Sequence, residues 1–465
     1  MEHPLPPAVL PSDAWTPAAW ARKPAAQQPL WPDPAAVQVA ADQLAGLPPL
    51  VHPGEVNLLL NHLASVQHGR GFVLQGGDCA ERFADCTPAS IEAKLKILLQ
   101  MSLILCHAAR QPVVRIGRIA GQYAKPRSSP TEVLNGRELP SYRGDIVNDI
   151  AFSPQARLPD PARMLRAYLC SAATLNYLRA MVAGGFADLH NPGNWELQQL
   201  HTAPAAARYD RICREISDAI DFMDSLGGAR RETLRSVELY TSHEALLLPY
   251  EQAMTRPVPG GNYMNLSAHM LWLGERTRDL DGAHVEYLRG IANPVGIKLG
   301  PTAEPRQVLE LLRRLNPHAI PGKLTLITRM GRAAVRDSLP PLIRAVRDAR
   351  LPVLWSCDPM HGNMCKSRSG QKTRHFDDIL HELRESFAIH DDNGTRLSGV
   401  HFEMTGEDVT ECIGGAGGVS DDDLTSERYV TTCDPRLNCS QSLEIALLIS
   451  EMLRSHLPRT PRTEA

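Results

Sequence analysis

The sequence lacks several features that would decide its class at once. Its ten cysteines include no CxxC pair, so a disulfide framework is not predicted and a reducing cytosol is the default compartment. No apolar run reaches the ~20 residues that cross a bilayer, and no basic and apolar leader opens the chain. The net charge of −3 offers no attractive field to nucleic acid or an anionic membrane. We therefore predict a cytoplasmic protein without nucleic-acid or membrane partners.

The 465 residues, 43% hydrophobic and 22% charged, are typical of a folded globular protein. Prolines cluster at the start, where residues 1–53 hold 12 of the 37. The same segment contains Trp15, Trp20 and Trp31, half of the six tryptophans. Because a flexible tail rarely carries such large aromatics, we predict an extended arm whose indoles pack on the main body or on another subunit. Residues 54–465 are predicted to form one domain.

Short runs rich in β-forming residues alternate with helical patterns along the rest of the chain. Residues 91–105 and 308–315 show the clearest helical stripes, with apolar positions three and four apart. Strands that alternate with helices predict right-handed crossovers and a parallel sheet, and eight such units predict a (β/α)₈ barrel. The predicted strands span residues 71–78, 112–119, 236–243, 263–269, 294–300, 323–330, 352–359 and 399–406.

The connection between the second and third strands, residues 120–235, is longer than one crossover needs. Helical patterns at 161–182 and 208–226 predict extra helices inserted after the second strand, roughly over residues 160–230. Periodicity leaves open whether this insertion serves oligomer contact or regulation.

Ionisable residues follow every predicted strand, at the end of the barrel where active sites are built. Lys298 and Arg329 even lie within apolar runs, where a cation is costly without an anionic partner. That partner is either a structural carboxylate or a substrate phosphate. A single phosphate seldom needs many cations, so the set predicted at this mouth suggests more than one phosphorylated ligand. The predicted cations are Arg118, Lys125, Arg127, Arg276, Lys298 and Arg329.

A second cluster mixes soft and hard metal ligands. Cys79, His361, Glu403 and Asp434 are all expected at or after strand ends. A thiolate, an imidazole and two carboxylates suit Mn, Co, Fe or Zn better than Mg or Ca. The alternative is a structural buried cysteine beside an ordinary loop histidine. The Gly-rich segments 75–77 and 414–418 lack the spacing of nucleotide-binding loops.

Long motifs distributed over the whole chain resemble one known family. They include QGGDCAERF (75–83), RIGRIAGQYAKPRS (115–128), SAHMLWLGERTR (267–278), CDPMHGN (357–363), HFEMTGEDVTEC (401–412) and CDPRLNCSQ (433–441). Together with similar motifs between them, these segments resemble type II 3-deoxy-D-arabino-heptulosonate-7-phosphate (DAHP) synthase over roughly residues 10–455. That enzyme opens the shikimate pathway to chorismate and the aromatic amino acids.

The resemblance implies a (β/α)₈ barrel, a divalent metal and a specific ligand set. Mn²⁺ or Co²⁺ would be the metal, with Zn²⁺ or Fe²⁺ as alternatives. The metal ligands would be Cys79, His361, Glu403 and Asp434. Phosphoenolpyruvate would be held by Arg118, Glu275, Arg276, Lys298 and Arg329. Erythrose 4-phosphate would be held by Lys125, Arg127 and Ser128.

The implied reaction joins these two phosphorylated substrates. The metal would act as Lewis acid on the aldehyde while C3 of phosphoenolpyruvate attacks, water would add at C2, and phosphate would leave by C–O cleavage. Lys298 would stabilise or protonate developing charge, and Glu275 or Glu244 would relay the proton of the water. The resemblance also implies a homodimer or homotetramer, aromatic amino-acid effectors at the inserted helices, and a chorismate mutase partner.

Three other hypotheses stay open at this point. A Schiff-base aldolase would use Lys298 as nucleophile and need no metal. A non-catalytic anion-binding regulator would keep the barrel without turnover. The same condensation could also serve a secondary-metabolite pathway, for example one leading to phenazines. If Cys79 and Asp434 bind one metal, Cys433 must lie close to Cys79, which predicts a Cys79–Cys433 disulfide in the metal-free protein.

Overall fold

A closed barrel of eight parallel strands forms the centre of the protein. The computed structural model describes residues 15–134, 136–187, 204–225 and 237–455. Each strand pairs in parallel with its two neighbours, and the last strand closes on the first. The strands are β1 (Phe72–Gly77), β2 (Val113–Arg118), β3 (Tyr240–Glu244), β4 (Met270–Leu273), β5 (Val295–Leu299), β6 (Leu324–Thr328), β7 (Leu354–Cys357) and β8 (Gly399–Glu403). The predicted (β/α)₈ fold is confirmed.

The fourth predicted strand, residues 263–269, is wrong. Residues Asn262–Asn265 instead pair antiparallel with Thr255–Val258 in a small hairpin outside the barrel. The barrel strand is the next segment, MLWL, whose four residues are all buried. Strands of a parallel barrel are covered on both faces, so a continuous apolar run suits them better than the alternating pattern of 263–269. His269 therefore precedes β4 instead of following it, and the expectation of an ionisable residue directly after this strand shifts to Glu275.

Helices follow the strands and cover the barrel. The stripes predicted at 91–105 and 308–315 lie on the buried faces of Pro88–Ala109 and Pro305–Leu315. None of the helices in the described ranges is both long and apolar enough to span a bilayer. The remaining helices are Pro34–Gly46, Pro53–Gln67, Pro154–Arg157, Ala162–Ala183, Pro204–Ser225, Leu248–Met254, Ala283–Leu288, Val335–Asp348, Phe376–Asp392 and Cys439–Ser455. Two further hairpins are Thr131–Leu134 with Arg137–Pro140, and Cys365–Lys366 with Lys372–Thr373.

The described part of the N-terminal segment packs on the barrel of its own chain. The Trp15 indole is buried, donates from Nε1 to the carbonyl of Glu286 at 2.9 Å, and meets the Tyr263 ring edge-on. Trp20 Nε1 donates to Gln252 Oε1 at 2.8 Å. The segment is not extended throughout, because Asp33 caps the helix Pro34–Gly46. Residues 1–14 of the predicted arm lie outside the described residues.

Two long helices occupy the region predicted as an insertion. Ala162–Ala183 and Pro204–Ser225 correspond to the helical patterns at 161–182 and 208–226. Residues 188–203 and 226–236, which belong to the same predicted insertion and to the start of the third predicted strand, lie outside the described residues.

Candidate active site and metal centre

One cavity opens at the carboxyl ends of the barrel strands. It has a volume of about 440 Å³ and is lined by every predicted site residue except Glu403. Those lining residues are Cys79, Arg118, Lys125, Arg127, Ser128, Glu244, Glu275, Arg276, Lys298, Arg329, His361 and Asp434. The strands thus bring together residues that are up to 355 positions apart in sequence. This is the end of the barrel at which such folds carry their chemistry.

The strand register places Arg118 and Glu403 on either side of Gly77, two residues before Cys79. Gly77, the last residue of β1, is in register with Arg118 of β2 on one side and Glu403 of β8 on the other. The chain turns directly after Gly77 toward Cys79. Gly77 has a φ of +147°, and a β-carbon there would lie 2.6 Å from the carbonyl oxygen of Arg118. Only glycine allows this turn. The turn places Cys79 beside the ends of β2 and β8, the two strands that flank β1.

Three of the predicted metal ligands form one buried group. The Cys79 Sγ atom and carboxylate oxygens of Glu403 and Asp434 all lie within 4.8 Å of one another. The fourth predicted ligand, His361, is adjacent, with Nε2 3.0 Å from Glu403 Oε1. Its Nδ1 atom hydrogen-bonds Asp358 Oδ2 at 2.7 Å, the carboxylate–histidine arrangement that orients metal-binding imidazoles. The donor set of sulfur, nitrogen and oxygen fits a divalent transition metal.

A lysine ammonium already contacts two of these donors. Lys125 Nζ lies 2.7 Å from Cys79 Sγ and 2.5 Å from Asp434 Oδ2. Burial would lower its pKa, yet Asp434 and the surrounding thiols and carboxylates raise the pKa of Lys125 well above its usual range. Burial likewise raises the pKa of the Cys79 thiol, and the Cys433 thiol beside it adds to the rise. The group therefore attracts a cation, and a metal must displace the Cys79 proton to use the sulfur.

Glu403 is completely buried and links the candidate metal ligands to two arginines through hydrogen bonds. Its Oε1 atom accepts from Arg118 Nη2 at 3.2 Å, and its Oε2 atom accepts from Arg374 Nη2 at 2.6 Å. Burial would raise the pKa of this carboxyl, but His361, Arg374 and Lys125 hold it well below its usual range. Glu403 is thus a fixed anion, which is the state that a metal ligand needs.

Two cations deep in the cavity differ in their partners. Lys298 forms an ion pair with Asp358, so its partner is a structural carboxylate. Arg329 instead donates from Nη2 to the carbonyl of His361 at 2.9 Å. Its buried Nε atom has no hydrogen-bond partner among the described residues. A buried donor without a partner is rare in native proteins, and an anionic ligand would satisfy it.

Arg118 and Lys298 share an aromatic neighbour. The Trp272 ring centre lies 5.1 Å from Arg118 Cζ and 5.9 Å from Lys298 Nζ. Arg118 is further fixed by hydrogen bonds to the carbonyls of Asp78 and Cys79 at 2.9 and 3.0 Å. The ring face favours positive charge beside it, so these two cations are held in place before a ligand arrives.

The outer part of the cavity carries the residues predicted for the second substrate. Arg276 Nη2 donates to Ser128 Oγ at 2.9 Å, which joins the two predicted substrate sets. Arg127 is paired with Glu132 at 2.9 Å. Its backbone N–H donates to Gln27 Oε1 at 2.8 Å, so the N-terminal segment reaches this loop.

The two predicted proton carriers differ sharply. Glu275 accepts from the Gly300 N–H at 2.7 Å and from Arg278 Nη2 at 2.9 Å, so both of its oxygens are engaged. Glu244 is buried in the cavity wall, and burial raises the pKa of its carboxyl although Lys125, Lys298 and Arg118 act in the opposite direction. A carboxyl whose pKa is raised suits proton transfer better than one whose two oxygens already accept hydrogen bonds.

Sequence reasoning missed several residues of this site. Asp358 contacts both Lys298 and His361, and Arg374 holds Glu403. Lys372 Nζ donates to Asp434 Oδ1 at 3.0 Å. Asp358 lies within the motif CDPMHGN, whereas Lys372 and Arg374 lie in a polar segment whose charges gave no signal of a buried role.

The chain matches the family model described as Class-II DAHP synthetase family over residues 15–450. A curated protein from Neurospora crassa named phospho-2-dehydro-3-deoxyheptonate aldolase is 48% identical over 457 residues, which cover 95% of this chain and 94% of that protein. A protein of the same name from Streptomyces coelicolor is 49% identical and covers 94% of this chain and 96% of its own length. A third, from Mycolicibacterium smegmatis, is 49% identical over 93% of both chains.

Proposed function

The chain belongs to the Class-II DAHP synthetase family, and from that premise we propose the residues and the metal with which it works. Its activity is that of a 3-deoxy-7-phosphoheptulonate synthase, which condenses phosphoenolpyruvate with erythrose 4-phosphate and water to DAHP and phosphate. This is the first step of the shikimate pathway. The observation that carries the proposal is the meeting of the predicted cations, carboxyls and metal donors at one cavity.

We propose that phosphoenolpyruvate binds in the deep half of the cavity. Arg118 and Lys298 supply fixed positive charge beside Trp272, and Arg329 supplies a guanidinium whose Nε atom has no hydrogen-bond partner in the described part of the chain. Arg276 and the backbone and carboxyl of Glu275 complete the site at its edge. The guanidinium groups can bind phosphate or carboxylate with two hydrogen bonds each, which fixes the orientation of C3 toward the second substrate.

Erythrose 4-phosphate is proposed to bind toward the opening, through Lys125, Arg127 and Ser128. The Arg276–Ser128 hydrogen bond supports this arrangement because it makes the two binding sets neighbours. Glu244 is the favoured proton carrier for the water that adds at C2, since its carboxyl is buried and its pKa is raised. Lys298 stabilises the charge that develops at the phosphoenolpyruvate end.

The metal is proposed to be Mn²⁺ or Co²⁺, held by Cys79, His361, Glu403 and Asp434. When bound, it supplies Lewis-acid polarisation of the aldehyde. Lys125 Nζ lies beside Cys79 and Asp434, so its ammonium is close to both the metal ligands and the proposed erythrose 4-phosphate site. Asp358 keeps the His361 ring oriented.

A homodimer or homotetramer, aromatic amino-acid effectors and a chorismate mutase partner complete the proposal. They are supported by family membership and, for the effectors, by the two long helices Ala162–Ala183 and Pro204–Ser225. Service to a secondary-metabolite pathway is the alternative use of the same reaction.

Release of inorganic phosphate tests the proposed metal-dependent reaction. We expect release only when both substrates and Mn²⁺ or Co²⁺ are present, because the condensation precedes C–O cleavage. A chelator should stop the reaction, and added metal should restore it. Phosphate release from phosphoenolpyruvate alone, or undiminished release with chelator, would contradict the proposal.

In the metal-free enzyme, aeration is expected to join Cys79 and Cys433 in a disulfide. Both are buried free thiols that form one small cluster with Ala80. Burial would raise the pKa of Cys433, but the Cys79 thiol and Lys125 lower it, which favours the reactive thiolate. Thiol titration of unfolded samples should find two fewer free thiols in aerated apoenzyme than in metal-loaded enzyme. A Cys433→Ser variant should show no such difference, and equal counts in the wild type would count against the disulfide.

A further inference from the structure

A buried carboxyl group, that of Glu382, lies behind the cavity and contacts two of the loops that form it, and burial raises its pKa to about 8. Glu382 lies on the helix Phe376–Asp392 and is fully buried, outside the cavity lining. Its Oε1 atom accepts from the backbone N–H of Met330 at 2.7 Å. Its Oε2 atom accepts from Asn363 Nδ2 at 2.7 Å. One side chain thus holds the loop after β6 and the loop after β7 at the same time.

These two loops carry proposed ligands of the substrate and of the metal. Met330 directly follows Arg329, and Asn363 lies two residues after His361. Asn363 extends the link, since its Oδ1 atom accepts from the Arg332 N–H at 2.8 Å and its Nδ2 atom also donates to the Pro359 carbonyl at 2.8 Å. Arg329 in turn donates to the carbonyl of His361. The positions of Arg329 and His361 are therefore coupled through this network.

The loops also touch through their backbones. A β-carbon on Gly362 would collide with the backbone of Gly331, which has a φ of +81°. Two glycines in direct contact leave no side chain between the loops to set their spacing. The hydrogen bonds that Glu382 accepts from Met330 and Asn363, and the one that Asn363 accepts from Arg332, fix the two loops against each other.

We propose that Glu382 is a positioning residue that sets Arg329 and His361 relative to each other, so that phosphoenolpyruvate binding and metal binding are coupled through it. The inference rests on the proposed roles of Arg329 and His361. Glu382 does not line the cavity, so its effect is transmitted by Met330 and Asn363. Outer residues that orient metal ligands typically contribute about 10–100-fold to metal affinity.

Glu382→Gln tests this role because it keeps the size of the side chain and turns one acceptor into a donor. The new amide faces a donor on either Met330 or Asn363, so one link is lost. We expect the Kd of phosphoenolpyruvate and the Kd of Mn²⁺, each measured by calorimetry, to rise by about tenfold. The KM of erythrose 4-phosphate should stay within about twofold, because its proposed residues lie on another loop.

A swapped pair provides the rescue. In Glu382→Gln with Asn363→Asp, the introduced amide can donate to the introduced carboxylate while its carbonyl still accepts from Met330. The introduced carboxylate also keeps an acceptor for the Arg332 N–H. The donor to the Pro359 carbonyl is lost in the swap, so we expect the swap to recover part of both affinities, although Asn363→Asp alone should recover neither. The matched control is Glu385→Gln on the same helix, which breaks an ion pair with Arg336 and contacts neither loop residue.

Several outcomes would overturn the inference. The first is a Glu382→Gln variant that binds phosphoenolpyruvate and Mn²⁺ as tightly as the wild type. The second is an equal loss of affinity for phosphoenolpyruvate and erythrose 4-phosphate that the swapped pair does not recover. If Glu382→Gln does not fold, the swapped pair and Asn363→Asp carry the comparison. Because both affinities are measured by binding, they report on Glu382 separately from turnover. If the wild type released no phosphate, that result would instead contradict the proposed function.

Discussion

Lys298→Met is expected to lower kcat by on the order of a thousandfold or more. One preorganised charge at a developing anion contributes about 10²–10³, and positioned proton transfer adds about 10²–10⁴. Methionine keeps the length and apolar stem of the side chain but removes its charge. Asp358, the lysine's partner, still accepts from the N–H groups of Met360 and His361, so the fold should persist. Steady-state kinetics with both substrates measure the loss, and Lys23→Met, at an exposed lysine, is the control.

The pH profile of the wild type gives an independent check on the same residue. Burial lowers the pKa of Lys298 to about 8, even though Asp358 favours its charged form. The ammonium is therefore present below that pH and lost above it, so kcat/KM for phosphoenolpyruvate should fall as pH rises through about 8. A bound substrate anion favours the ammonium, which should move the fall in kcat to higher pH. A flat profile around that pH would argue against a charged Lys298.

Borohydride trapping separates metal-dependent condensation from a Schiff-base aldolase. A Schiff-base enzyme would form a covalent adduct on Lys298 that borohydride traps, and chelator would leave its rate unchanged. With a pKa of about 8 and Asp358 beside it, Lys298 is mostly an ammonium at neutral pH, and an ammonium is not nucleophilic. We expect no mass increase on Lys298 after borohydride treatment with either substrate. A trapped adduct at this residue would overturn the role proposed for it.

The barrel could be predicted from the sequence because its strands are separated by long helical patterns. The exception is β4, where an alternating segment and a buried apolar run follow each other within residues 262–273. Both segments form strands, and only the pairing partners decide which one enters the barrel. That choice depends on contacts with β3 and β5, which no local pattern contains.

The site could be predicted as a set of residues but not as a network. The motifs named the cations and metal donors, yet the partner of Lys298 remained open between a carboxylate and a phosphate. That partner is Asp358. It lies close to Lys298 because β5 and β7 both pair with β6, and the two residues stand at the same end of the barrel. Glu382 gave no signal at all, since a glutamate on an amphipathic helix is normally solvated. Its burial against two loops is a property of the packed helix, not of the local sequence.

Glu403→Gln is expected to remove metal binding and to destabilise the fold at once. The change is nearly isosteric, but it removes the charge that offsets two buried guanidinium groups, Arg118 and Arg374. Breaking a buried ion pair on one side typically costs about 3–5 kcal/mol, because the remaining charge is left without compensation. Denaturant unfolding of the metal-free variant should show a free energy of unfolding lower by that amount. This loss is independent of any metal.

The metal effect of Glu403→Gln separates from the stability effect in a binding experiment. An amide is a poor ligand for a transition metal beside a thiolate and an imidazole, so Mn²⁺ affinity should fall well beyond the range of a positioning residue. Loss of Lewis-acid activation amounts to several kcal/mol, on the order of a thousandfold in kcat/KM. Excess metal should not restore it. Glu427→Gln, at an exposed carboxylate, should match the wild type in unfolding, metal affinity and rate. If Glu403→Gln bound Mn²⁺ as tightly as the wild type, Glu403 would be a structural partner of the two arginines and not a metal ligand.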